Sequence, residues 1–201
     1  MLRSTSRQFV LYGGTAIALH LGHRQSVDFD FFTSEPFDPD ILYNKTLYLK
    51  NATITQQTKG ALSVVTKPGV RVSFFYVKLN QVERPKVVFE NKLKVASILD
   101  LFGMKCVTVF RRLEAKDYID IDAIIQYGIP LEKGVSAGRA IYHPQYYDYS
   151  KTILALKDTG SLKMQNHVKK RLLEHANSFD KKKMVNLKAG GKIGRSMGLK
   201  K

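Results

Sequence analysis

Hydrophobic and polar positions change rhythm along this chain. Residues 8–12 (QFVLY) are apolar almost without a break, as in a short buried strand. Gly13-Gly14 then makes a tight turn, and Thr15 stands where it can cap a helix running to about Leu21. After a polar loop, residues 27–32 (VDFDFF) alternate apolar and acidic, the period of a strand with one wet face. Residues 38–50 predict an exposed helix. Strand-like runs follow at 52–55, 62–66 and 70–77, the last two divided by the Pro68-Gly69 turn. Past Pro85 the period lengthens. Residues 95–112 are apolar and helical, and 115–127 form a second helix ended by Gly128-Ile129-Pro130. Residues 131–141, 145–157 and 162–179 read as three more helices. The fold class is therefore α+β. A mixed α/β unit covers residues 1–90, a helical bundle 91–180 and a flexible basic tail 181–201.

Composition sharpens one end of this picture. The chain has 201 residues, 44% of them hydrophobic, which suits a buried core and excludes wholesale disorder. Lys and Arg number 33 against 17 Asp and Glu, a net charge of +16. Residues 1–90 carry 11 basic and 7 acidic side chains, and residues 91–180 carry 14 and 10. Residues 181–201 carry 8 basic and none acidic, with four glycines. That tail reads either as a solubilising end or as an arm that touches RNA. The overall charge points to a polyanionic partner: nucleic acid, nucleotide or anionic lipid. A single cysteine, Cys106, excludes a disulfide framework and a Cys-based zinc site. Arg3 and Arg7 precede an apolar stretch, but Gly13-Gly14 and His20 interrupt it and no small-x-small cleavage site follows. No apolar run approaches the ~20 residues that span a bilayer. The expected location is the cytoplasm, with no membrane partner.

The candidate chemistry starts at Asp28 and Asp30. Two apart on a strand, both carboxylates point to one face, where like charges repel and lose hydration. A divalent cation removes that cost, and oxygen-only ligands favour Mg²⁺ or Mn²⁺. An edge strand with solvated aspartates is the alternative. The preceding segment adds a Gly-Gly turn opening a helix, which suits a phosphate chain, with Ser26 as a hydroxyl donor and Arg24 as a charge. Lys105 lies in a helix apolar nearly all round and needs a partner there. Asp117 and Asp120 are three apart on the next helix and share a face, so a structural Lys105–Asp120 pair is one reading. Asp122 is offset and reads as solvated. His20 reads as helix surface or packing, His23 as a phosphate contact and Cys106 as core. The tyrosines of residues 142–149 either stack bases or pack between helices. The helix with Lys163, Lys169, Lys170 and Arg171 is a candidate RNA face or a solvated one.

Residues 13–16 (GGTA) and 22–32 (GHRQSVDFDFF) together resemble the first motif of the AbiEii/AbiGii-type nucleotidyltransferase toxins, within the DNA polymerase β-like nucleotidyltransferase superfamily. Residues 100–105 (DLFGMK), then Arg111 or Arg112, then residues 116–120 (KDYID), resemble the family's helical motif. The likeness runs over about residues 9–130. It implies transfer of a nucleoside monophosphate from an NTP to an acceptor hydroxyl, with RNA or tRNA as acceptor and a protein antitoxin as partner. By that likeness Asp28 and Asp30 hold Mg²⁺, and Gly13, Gly14, Thr15, Arg24, Ser26 and Lys105 bind the nucleotide. Asp117 or Asp120 completes the catalytic set. Many superfamily members place a third carboxylate on a neighbouring strand, where this chain has Ser73. A degenerate fold that binds RNA or protein without catalysis therefore stands beside the active enzyme, as does transfer to an antibiotic or a protein. An additional helix is expected ahead of the first strand, which points to a truncated start.

Overall fold

Strand β1 (Val10–Tyr12) is wholly buried and runs directly into helix α1 (Gly13–Leu21). The computed structural model describes residue 5, residues 8–88 and residues 93–194. Arg3, Arg7 and the end of the basic tail lie outside the described residues. The predicted acidic strand is β2 (Phe29–Thr33), so Asp28 sits just ahead of it. The exposed helix is shorter than expected, α2 (Pro39–Lys45) followed by a 3₁₀ turn. Strands β3 (Thr53–Thr58), β4 (Ala61–Val65) and β5 (Arg71–Tyr76) form the predicted meander.

Four short strands escape the pattern: β6 (Asn80–Gln81), β7 (Lys86–Val88), β8 (Leu93–Val95) and β9 (Gly191–Lys192). The main sheet runs β3-β4-β5-β2-β1-β8-β7. Its centre is mixed, with β2 parallel to β5, β1 parallel to β8 and β1 antiparallel to β2. The sheet thus crosses the border expected at residue 90, because β7 and β8 pair across it.

The helices that follow are α3 (Ile98–Thr108), α4 (Ala115–Gln126), α5 (Leu131–Tyr142), α6 (Tyr149–Lys157) and α7 (Asn166–Asn177). The helix expected from Val95 starts three residues later. Leu93–Val95 is taken by the sheet, and the Ser97 hydroxyl caps α3 by accepting from Asp100 N at 3.0 Å. Helices α3 and α5 approach closely at two glycines. A Cβ on Gly103 would stand 2.7 Å from the Gly138 nitrogen. Among the described residues no helix is long and apolar enough to cross a membrane.

The expectation of a free tail from residue 181 is corrected as far as Gly194. Strand β9 pairs antiparallel with β6, Asn80 against Lys192. Ser34 N donates to the Ile193 carbonyl at 2.7 Å, and Gly190 N donates to the Gln81 carbonyl at 2.7 Å. The Ile193 side chain is completely buried. An apolar side chain within a basic run anchors the segment, a contact that the charge pattern hides.

Candidate active site

Register across the sheet builds one wall of the site. Tyr12, Asp30, Ser73 and Ser63 form a row over β1, β2, β5 and β4. The neighbouring row, Leu11, Phe31, Phe74 and Leu62, points the other way and is completely buried. The alternation of VDFDFF therefore separates core from cleft as its period requires.

Asp30, Ser73 and Ser63 of the first row open on a cleft of about 620 Å³. Gly13, Gly14, Arg24, Ser26, Asp28, Asp30 and Lys105 all line it, together with Ser63, Arg71, Ser73, Arg112 and Lys116. Helix α1 begins at its edge, where Tyr12 is the N-cap and no side chain caps the helix. Free N–H groups and the positive helix end thus stand beside the two carboxylates. Gly13 has φ +72°, and a Cβ there would lie 2.6 Å from Asp30 Oδ2. A Cβ on Gly14 would lie 2.1 Å from a guanidinium nitrogen of Arg24. Gly13 is favoured by its left-handed backbone, and at both glycines the approaching atoms are the ends of flexible side chains.

Among the described residues neither Asp28 nor Asp30 is in an ion pair. Burial, and then the Asp28 charge, raise the pKa of Asp30 above the usual carboxylate range. The donors in reach are oxygens. No group of three or more His, Cys, Asp and Glu is arranged to hold a metal ion among the described residues. A cation held by Asp28 and Asp30 would fill its shell with water and substrate phosphates. That fits the habit of Mg²⁺, or equally Mn²⁺, rather than a protein cage.

Three of the predicted site residues do not reach the cleft. Thr15 is buried; its hydroxyl lies 2.8 Å from Ser26 Oγ and donates to the main-chain carbonyl of Asp28, so it braces the loop instead of capping α1. Asp117 and Asp120 have fully buried side chains on α4. Lys105 Nζ donates to Asp117 Oδ1 at 2.5 Å and lies 2.7 Å from Asp120 Oδ2. Arg112 Nε donates to Asp117 Oδ2 at 2.8 Å. Arg24 grips Asp120 with Nε at 2.7 Å and Nη2 at 3.0 Å. His23 Nε2 lies 2.7 Å from Asp120 Oδ1. Burial pushes both carboxyls up, and these bonds outweigh it, so Asp117 ends below the usual range and Asp120 well below. Neither is placed to ligate a cation or take a proton. Their role is to hold Lys105, Arg112 and Arg24 in the cleft wall.

Several smaller expectations resolve in the same way. His23 meets a carboxylate, whereas a phosphate was expected. His20 Nε2 lies 2.8 Å from the Ala96 carbonyl, a packing contact. Cys106 is buried and its thiol pKa is pushed up by that burial, as befits core. Asp122 is buried rather than solvated, because Arg171 Nε donates to it at 2.8 Å. Arg171 is thereby withdrawn from the candidate RNA face. Arg112, left open against Arg111 in the sequence, is the one that lines this cleft. Arg71 was missed; its signal was the Pro68-Gly69 turn, which sets it at the mouth.

Residues 2–183 match the family described as Nucleotidyl transferase AbiEii toxin, Type IV TA system. An uncharacterized protein of Aquifex aeolicus (strain VF5) is 33% identical over 115 residues, 56% of this chain and 55% of that protein. The chain thus spans about half the length of the curated relative it matches.

Proposed function

This chain belongs to the AbiEii family of nucleotidyl transferase toxins, and from that premise we propose that it moves a nucleoside monophosphate from an NTP to a hydroxyl of RNA, tRNA foremost. Its other partner is a protein antitoxin. One observation carries the reading: the pair Asp28 and Asp30, in no ion pair among the described residues, beside the uncapped start of α1 in a cleft walled by Lys105 and Arg112.

The start of α1, Ser26 and Lys105 receive the triphosphate and offset its charge. Asp28 and Asp30 hold the divalent cation, which when bound polarises the phosphoryl oxygens and neutralises charge at the leaving group. The acceptor hydroxyl gives up its proton to water as its oxygen forms a bond to the α-phosphorus, the bond from that phosphorus to the bridging oxygen of the β-phosphate breaks, and pyrophosphate leaves. Lys105 keeps its place because Asp117 and Asp120 fix its ammonium from behind.

Ser73, in register with Asp30, supports the second reading, a fold that binds without catalysis. A hydroxyl there is a poor cation ligand and a poor base. One assay separates the two: full-length protein with Mg²⁺, each labelled NTP and total tRNA. The enzyme transfers label to tRNA, and Asp28→Ala abolishes it. Absence of transfer, with NTP binding unchanged in Asp28→Ala, overturns the enzymatic reading. Label on protein in place of RNA moves the acceptor to another class.

A further inference from the structure

Helix α5 has two sides of different character. On one, Gly134 and Gly138 bring it against Phe102 and Gly103 of α3. On the other, Ser136, Arg139, Ala140 and His143 recur at three- and four-residue spacing. The chain beyond α7 crosses this second side as a strap. One end is tied where Asp180 N donates to Glu132 Oε1 at 3.1 Å and Val185 N donates to Ser136 Oγ at 3.0 Å. The other end is tied by the β6–β9 pairing and the buried Ile193. Between the ties, strap and helix border a cavity of about 570 Å³.

We propose that this cavity binds a small phosphate monoester with an apolar body, and that the bound ester holds the strap down on α5. Arg139, His143 and Lys181 line it, and no acidic residue does among the described residues. Arg139 and Lys181 are in no ion pair among the described residues. The carboxylates of Glu132 and Asp180, close by in the chain, already accept main-chain N–H groups. A phosphate monoester carries a charge of about −1.5 to −2 near neutral pH, which two fixed cations and an imidazole donor match.

Ala140, Pro144, Met184 and Leu187 supply an apolar lining that a bare phosphate would leave uncovered. The volume lies within the range of roughly 300–1000 Å³ usual for small-molecule sites. A polymer would have to thread beneath a segment tied at both ends, which selects a small molecule over RNA. His143 has φ 68° and ψ 138°, a conformation that residues other than glycine rarely adopt, and such strain gathers at ligand sites.

The cavity shares no described lining residue with the Asp28–Asp30 cleft. Asn80 and His143 also line a larger cavity of about 1100 Å³, which reaches Asp30 and Lys105 and is lined by Lys192 of the strap. An ester that holds the strap therefore steadies that wall from a distance.

The test titrates the full chain by calorimetry at physiological salt, without NTP or divalent metal, using phenyl phosphate, phenol and inorganic phosphate. Phenyl phosphate binds roughly tenfold or more tighter than either of the others. Arg139→Ala with Lys181→Ala weakens it roughly tenfold or more. Val185→Pro removes a tie of the strap and no cation, and weakens it by roughly threefold or more. Trypsin cleavage after the exposed Lys188, read by mass spectrometry, slows roughly threefold or more with phenyl phosphate bound, in the wild type alone. Failure of the wild type to bind phenyl phosphate, or binding that survives the double substitution, overturns the proposal. Inorganic phosphate bound as tightly overturns the apolar body, and unchanged cleavage overturns the hold on the strap. Should the double variant fail to fold, Arg139→Gln alone decides by the same criterion.

Discussion

Two pairs of aspartates flank Lys105, and the protein treats them in opposite ways. Asp117 and Asp120 are bonded by Lys105, Arg112, Arg24 and His23, and both carboxyls are pulled below their usual range. Asp28 and Asp30 are in no ion pair among the described residues, and burial with mutual repulsion drives Asp30 the other way. Asp117 and Asp120 share one face of α4, and Asp28 and Asp30 both line the cleft. The difference lies in whether the chain supplies the cations. A pair bonded within the chain is architecture, and a pair left out of any ion pair is the one we propose to take a cation from outside.

Asp30→Asn gives the sharpest separation. Phosphoryl transfer falls by roughly a thousandfold or more, since several kcal/mol of transition-state stabilisation go with the cation. Yet the metal-free protein becomes slightly more stable, by about 0.5 kcal/mol, because a repelled charge is gone. Calorimetry without and with Mg²⁺ checks this, and a large loss of metal-free stability breaks the comparison.

Asp120→Asn is expected to act chiefly on stability. It leaves Arg24, His23 and Lys105 short of an anion and costs roughly 3–5 kcal/mol in denaturant unfolding. A variant as stable as the wild type would mean that the network is not the framework inferred here.

Acid titration sets the two pairs against each other. Asp30 binds its proton more tightly folded than unfolded, so its contribution improves as pH falls towards the ordinary carboxylate value near ~4. Asp117 and Asp120 bind theirs less tightly when folded. Their stabilisation is complete above ~4 and is lost as pH falls below it. Metal-free stability should therefore pass through a maximum before acid unfolding. Asp30→Asn removes the rise, and Asp120→Asn flattens the fall.

Gly13→Ala is the mildest test. The left-handed backbone costs about 1–2 kcal/mol, and the new Cβ pushes on Asp30 Oδ2. The Mg²⁺ concentration for half-maximal transfer should rise severalfold while the fold persists.

Much of the cleft was legible in the sequence because its parts are local. The Gly-Gly helix start and the alternation around Asp30 are short-range patterns, and both landed where their period put them. The Lys105–Asp120 pair was legible as one of two readings, from burial alone. Other features depend on partners far along the chain. Arg24 looks like a phosphate ligand until Asp120, 96 residues away, is found to hold it. Strands β6 and β9 have two residues each and no period to read, so their pairing exists only in three dimensions. Residues 181–194 depart from the expected free tail because composition counts charge and overlooks one buried Ile193.

The pairing of β6 with β9 also sets an order of assembly. A chain made from its N-terminus offers its early segments for folding first. Helix α1, the meander and α4 can close the Asp28–Asp30 cleft while residues 191–193 are still to come. The wall that carries Lys192 must wait for one of the longest loop closures in the fold, whose cost grows only slowly with length but which delays the contact. The nascent protein thus has the Asp28–Asp30 cleft before it has the β6–β9 seam.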